Sequence, residues 1–246
     1  AADDFDYENK KSLNGKREGN LVHGIGLGSA SHASGYVGFD GLVVIHTDGT
    51  VEVRQGAGNL GTESFAAVSR MAAETLKVPW DQVQVSWGRS DRSSFTLGQF
   101  SSNTTFTTGL SQVKAAETAV SYLKEIAANE LGGNPDDYEM SGTGRVRRSD
   151  DSSQSLSFAD AAKAAVDMGG KYTAESIPSN FQDSLNPMTK GAARDVTGNA
   201  LVAFGKTGQD DMGGFVDSFN AALAHVTIDV ETGKVQLKEL ANYGDS

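Results

Sequence analysis

The sequence predicts an α+β fold: mixed sheets with hairpins, and two to three packed helices. Three observations carry this. Asp48-Gly49 separates two β-rich runs, and Glu231-Thr232-Gly233 separates two more, each a hairpin signature. Between the hairpins, apolar residues recur at helical spacing in residues 62–77, 107–131 and 158–168. The order is strand, strand, helix, strand, helix, hairpin, helix, strand, hairpin. Hairpins exclude a purely parallel sheet.

In chain order, residues 1–20 are polar and charged and read as an exposed strap. The remainder, 21–246, reads as one α+β domain. Residues 21–34 carry Gly24, Gly26 and Gly28, which suits a loop or a strand built for close approach. The first hairpin pairs 42–47 with 50–54; Glu52 and Arg54 alternate with Val51 and Val53, so one face is expected to be wet. Phe65, Val68, Ala72 and Leu76 mark the first helix, with Gly61 or Thr62 as its cap and Val78-Pro79 as its stop. Residues 83–87 alternate as a strand. Thr107 or Thr108 opens a longer helix that Gly132-Gly133 closes. A short hairpin over 136–153 with an exposed edge at 145–148 follows, then a helix capped by Ser157 and ended by Gly169-Gly170. Residues 172–176 read as a short strand and 179–213 as an irregular polar insertion, long enough to suggest function or disorder. The last hairpin pairs 219–230 with 234–241.

Composition narrows the function. The 246 residues carry a formal net charge of -11, which argues against a general nucleic-acid or anionic-membrane binder. An anionic ligand would have to be held by backbone N–H groups and hydroxyls. With no cysteine, thiolate metal sites, iron–sulfur ligation and Cys nucleophiles are excluded within the chain. No apolar run approaches the roughly 20 residues of a membrane span. The acidic start, Ala1-Ala2-Asp3-Asp4, carries no signal segment and no initiator Met, so processing or a beginning within a longer protein is expected. Cytoplasm is the default compartment.

Two segments carry candidate chemistry. Gly56-Ala57-Gly58-Asn59-Leu60-Gly61 fits G-x-G-x-x-G between a strand and a helix. Against a dinucleotide site stand the charge-alternating strand before it, Glu63 where a pyrophosphate would sit, and the lack of an acid after 83–87. A plain glycine-rich turn and a different cofactor close to the backbone remain alternatives. Ser101-Ser102-Asn103-Thr104-Thr105 crowds hydroxyls at the start of the long helix, where unpaired N–H groups and the helix dipole favour an anion or phosphate. An ordinary cap would need only one or two of them.

Other motifs are weaker. Gly205-Lys206-Thr207 lacks the first glycine of a phosphate loop, since Ala200 stands there. There is no nucleophile elbow. His46 and His225 read as structural; His23 and His32 flank the glycine-rich segment, and no histidine pair has metal-ligand spacing.

Taken in order, several segments resemble the molybdenum-binding large subunit of the xanthine dehydrogenase/aldehyde oxidoreductase family. They are 23–27, 47–53, 58–64 with 72–76, 83–87, 101–105 leading into Gly109, and 224–233. The resemblance covers about 20–131 and 215–246. It implies a molybdopterin cofactor with molybdenum, in bacteria often as a cytosine dinucleotide, and a site gripped by backbone and hydroxyl groups. It places the family's glycine–glutamine–glycine loop on Gly61, Thr62 and Glu63, and the pterin-phosphate loop on Ser101, Ser102, Asn103, Thr104 and Thr105. Gln99 and Phe100 would lie near metal and substrate, as would Ser31 and His32. Thr62 departs from the family's glutamine. The family's catalytic glutamate belongs to a segment further downstream and its arginine–glycine loop to one upstream, so no catalytic residue and no direct metal ligand is expected here. Iron–sulfur clusters and FAD would sit on partner chains, with other chains or segments completing the molybdenum subunit around a small-molecule substrate. A non-catalytic assembly module and a dinucleotide-dependent oxidoreductase domain are the competing readings.

Overall fold

The computed structural model describes residues 1–35, 38–208, 211 and 216–245. These fall into two compact units, one of residues 1–34 with 215–246 and one of residues 35–214.

The first unit is an antiparallel sheet. Its strands are β1 (Arg17–Glu18), β2 (Leu21–Ser34), β10 (Val216–Asp229) and β11 (Val235–Asp245), in the order β1-β2-β10-β11. The glycine-rich run is therefore a strand, 14 residues long. The expected last hairpin is present: Asp229 Oδ1 accepts from the N–H of Glu231 (2.9 Å) and of Thr232 (3.1 Å), and Gly233 supplies a φ of 71°. The N-terminal residues are not a bare strap. They form helical turns α1 (Ala2–Phe5) and α2 (Tyr7–Lys10), because Phe5 buries its ring completely and Lys10 pairs with Glu239 at 2.6 Å. His23 Nδ1 and His225 Nε2 meet at 2.9 Å; burial, then His23, pushes the His225 pKa down.

The second unit is built on a mixed sheet. β3 (Asp40–His46) and β4 (Val51–Gln55) form the expected hairpin. β5 (Val83–Trp87) runs parallel to β4, and β9 (Ala200–Lys206) pairs antiparallel with β3, giving the order β5-β4-β3-β9. Period-2 alternation divides the side chains between two cores. Val43, Ile45, Val51, Val53, Leu201 and Ala203 pack under helices α3 (Ser64–Leu76), α4 (Gly109–Leu131) and α5 (Phe158–Met168). Leu42, Val44, Val202 and Phe204 face Leu185, Ala192 and Val196 on the other side. Ser157 caps α5 as expected, accepting from Asp160 N–H at 3.1 Å.

Four expectations fail here. The wet face of β4 is buried, because Arg54 finds partners far along the chain, Asp195 at 2.5 Å and the Ala192 carbonyl at 2.7 Å, besides Glu52 on its own strand at 2.9 Å. The irregular insertion is ordered where described: α6 (Ser179–Gln182), α7 (Pro187–Ala192) and β9 occupy it, while its residues 209, 210, 212 and 213 lie outside the described residues. Residues 170–173 form a 3-10 turn instead of a strand, since Gly169, Gly170 and Ala174 all take positive φ. The stretch 145–148 is not an edge: β7 (Arg145–Arg148) is the middle strand between β6 (Tyr138–Met140) and β8 (Ser155–Ser157), and Arg147 pairs with Glu139.

Glu52 gives this unit a pH dependence. Burial pushes its pKa up, but hydrogen bonds from His46, Arg54 and Ser86 together outweigh burial and hold it at about 2 against an ordinary 4.5. A depressed folded-state value means stability that is complete above the unfolded value and lost as pH falls from about 4.5 to about 2. The contribution is on the order of 3 kcal/mol. Comparing denaturant midpoints at pH 7 and pH 3, Glu52→Gln should flatten this part of the acid loss; an unchanged slope would contradict it.

Candidate functional site

The site is built where the two parallel strands end. The chain leaves β4 into loop 56–63 and enters α3; it leaves β5 into loop 88–103 and enters a π-helical turn, Thr104–Thr108, that runs on into α4. Both loops lie at the carboxyl ends of β4 and β5, the end where parallel sheets open crevices for ligands.

Glycines fix how closely the loops approach. A Cβ on Gly56 would stand 2.3 Å from the Ser94 carbonyl oxygen, and one on Gly58 would stand 3.4 Å from Gln99 Oε1. Asn59 shapes the first loop: its Oδ1 accepts from the N–H of Gly61 (2.8 Å) and of Glu63 (3.3 Å), and its Nδ2 donates to Glu63 Oε1 (3.3 Å). The second loop is held by the Gly35 N–H, which donates to the Ser101 carbonyl at 3.0 Å. Ser101 and Ser102 both take φ of 49°, two consecutive left-handed residues without glycine. Each such residue costs about 1–3 kcal/mol and persists only where the surroundings impose it.

The long helix is pressed onto the sheet to bring its start here. At Gly41 and Gly205 an added Cβ would lie 2.0 and 2.3 Å from the Ser111 carbonyl oxygen. Gln112 inserts its carboxamide into the sheet: Oε1 accepts from Leu42 N–H (3.2 Å), and Nε2 donates to the Arg54 carbonyl (3.1 Å) and Ser94 Oγ (3.3 Å). Phe65 stacks on Trp87 at 4.7 Å between centroids, which ties the start of α3 to the end of β5.

Between these elements lies a cleft of about 390 Å³. Leu60, Thr62, Ser64 and Ala67 line one side; Gln99, Phe100, Ser102, Asn103, Thr104 and Thr105 line the other. None of these residues is charged. The first turns of two helices contribute to it, so the polar groups offered are hydroxyls, carboxamides and helix-start N–H groups. Asn103 is fully buried, and neither Oδ1 nor Nδ2 has a hydrogen-bond partner among the described residues.

Of the residues the sequence singled out, the structure gathers Thr62, Gln99, Phe100, Ser102, Asn103, Thr104 and Thr105 around this cleft. Gly61 turns the first loop with φ of 89°, and the Glu63 carboxylate takes the Asn59 amide; neither lines the cleft, and Ser101 contributes its backbone turn. Ser31 and His32 are exposed on β2 of the first unit, opposite Phe219 and Ser218. Gly61 and Thr62 do not cap α3: Glu63 takes the N-cap position with φ of 54° and no side-chain cap bond. Thr62 Oγ1 and Ser64 Oγ instead bond each other at 2.6 Å. One objection to the dinucleotide motif also falls, since β4 is buried on both faces, but Glu63 at the head of α3 stands. Among the described residues, no group of three or more His, Asp or Glu is placed to hold a metal ion, and no helix is long and apolar enough to cross a membrane. The sequence reading missed Leu60, Ser64 and Ala67; their only signal was adjacency to the glycine loop and one helical turn of spacing.

Fold and cleft together define an α+β ligand-holding domain with an uncharged donor set. The chain belongs to the molybdopterin cofactor-binding domain family, whose profile matches residues 1–246. It is 30% identical over 127 residues to the putative xanthine dehydrogenase molybdenum-binding subunit of Escherichia coli K12, covering 49% of this chain and 16% of that one. In fold it is similar to a chain of the reconstituted CO dehydrogenase from Oligotropha carboxidovorans (TM-score 0.57, 20% identity, 99% of this chain and 29% of that one). It is also similar to quinoline 2-oxidoreductase from Pseudomonas putida 86 (TM-score 0.56, 17% identity, 99% and 30%). The chain thus spans less than a third of the length of each of these.

Proposed function

We propose that this chain forms part of a molybdenum-dependent oxidoreductase, holding the molybdopterin cofactor and lining one side of the active site. The observation that carries the reading is the cleft between two helix starts, whose donors are neutral and preorganised. Such a set suits a phosphate-bearing cofactor in an acidic chain, because it offers hydrogen bonds and positive dipole ends with no lysine or arginine. The residues present therefore fit the group. Thr104 and Thr105 would take its anionic part at the head of the long helix, while Thr62, the residue of the 61–63 loop that lines the cleft, would face it from the other side. Gln99 and Phe100 would border the substrate. When bound, the cofactor supplies the redox chemistry; the chain supplies position and electrostatics.

Three finer assignments belong to the same proposal. The cofactor is a cytosine dinucleotide form, a further segment or chain supplies the glutamate base, and iron–sulfur and flavin centres sit on partners, since this chain has no cysteine to ligate a cluster. The enzyme works in the cytoplasm. Thr62, its hydroxyl engaged by Ser64, is the observation that favours a second reading, a non-catalytic assembly module of such a complex.

The Thr104→Val/Thr105→Val double variant tests the placement. It removes two hydroxyls while keeping side-chain shape, so pterin retained by the purified complex should fall at least tenfold, with melting shifted by only a few degrees. Full retention would remove these residues from the site.

A further inference from the structure

Asn103 brings an unpartnered buried amide to the cleft. It is fully buried at the cleft, and its carbonyl oxygen and amide nitrogen are both without partners among the described residues. Its backbone is satisfied separately, with the N–H donating to the Phe100 carbonyl at 3.2 Å. Leaving a buried donor or acceptor unmade forfeits its hydration with nothing in return, and Asn103 leaves both. The two left-handed serines before it add strain to deliver it to this place.

We propose that Asn103 reads a heterocyclic amide or amidine edge, one that offers an acceptor beside an N–H donor, at the base of the cleft. The proposal rests on the cofactor-holding reading above and specifies which part of the ligand this residue meets. A phosphate presents acceptors only: it would satisfy Nδ2 and set Oδ1 against its own oxygens. An apolar group would satisfy neither atom. A ring edge with donor and acceptor side by side satisfies both at once, the same complementarity by which a carboxamide reads a nucleobase edge. The neighbouring threonines then serve the anionic part, and Asn103 fixes the orientation of the ring. Gln55 is the natural comparison. It is also fully buried with both amide atoms unpartnered, yet it does not line the cleft.

The test compares Asn103→Leu and Gln55→Leu with the wild type, in two measurements: melting of the full chain prepared without cofactor, and pterin per chain in the purified complex. Both variants relieve an unsatisfied buried amide, so neither should melt lower than wild type. Pterin content should fall at least tenfold in Asn103→Leu and stay unchanged in Gln55→Leu. Wild-type pterin in Asn103→Leu overturns the proposal, and so does pterin loss accompanied by lower melting, which marks a structural role. Should Asn103→Leu not fold, Asn103→Asp keeps shape and acceptor but loses the donor, and carries the same expectation for pterin. Titration of the cofactor-free chain with pterin-6-carboxylate and inorganic pyrophosphate separates ring from phosphate. Asn103→Leu should weaken the first tenfold and leave the second alone; the reverse assigns Asn103 to phosphate and overturns the proposal. A wild-type complex free of pterin is a different outcome, since it removes the function proposed above along with this inference.

Discussion

Replacing Arg54 with alanine should lower stability by about 3–5 kcal/mol, the largest single loss expected anywhere in the described residues. The guanidinium is almost wholly buried and bridges three groups: Glu52 on its own strand, and Asp195 and the Ala192 carbonyl near the end of α7. Removing it leaves the Glu52 carboxylate buried with only His46 and Ser86, and leaves a cavity the size of a long side chain. For a chain of this length the melting temperature should fall by roughly 6–20 °C. The loss belongs to the broken pair more than to the charge itself. Arg54→Met combined with Glu52→Leu and Asp195→Leu should therefore recover part of it, because apolar groups of similar volume avoid the desolvation cost. Denaturant midpoints of the single and triple variants check this; a single variant within 1 kcal/mol of wild type would contradict it.

The second large effect is steric. A methyl group at Gly41 would sit 2.0 Å from the Ser111 carbonyl oxygen and 2.5 Å from its carbon, both backbone atoms. No rotamer change relieves that contact, so α4 must lift from β3. Overpacking of this kind costs about 1–3 kcal/mol and occasionally more. The displacement also reaches the cleft, because α4 continues from the Thr104–Thr108 turn and Gln112 locks it to Leu42, Arg54 and Ser94. Gly41→Ala should thus lose both stability and bound pterin, whereas Gly26→Ala on β2, where the added group meets open space, should lose neither. Thermal melting and pterin content of the two variants decide it.

The elements that the sequence revealed were those with local causes. Asp48-Gly49 announced its hairpin, the 3.6-residue stripes announced α3, α4 and α5, and Ser157 announced a cap. The misreadings share a different origin. Glu52 and Arg54 alternate with valines like a wet face, and only Asp195, 141 residues beyond Arg54, makes that face buried. β9 was hidden because its apolar run, Ala200 to Phe204, sits among Asn, Asp, Gly and Thr, and its pairing partner β3 lies 160 residues earlier. At the cleft, the density of hydroxyls at 101–105 was visible in composition alone. The consecutive left-handed serines and the unpaired Asn103 amide were not, since both depend on how two distant loops meet.

The central claim is that this chain holds molybdopterin. The measurement that tests it most directly is molybdenum analysis with released-pterin fluorescence on the complex purified through this chain without denaturation. The account predicts molybdenum and pterin each near one per chain. Their absence, with partner chains still bound, would contradict it and leave a scaffold built on a cofactor-binding fold.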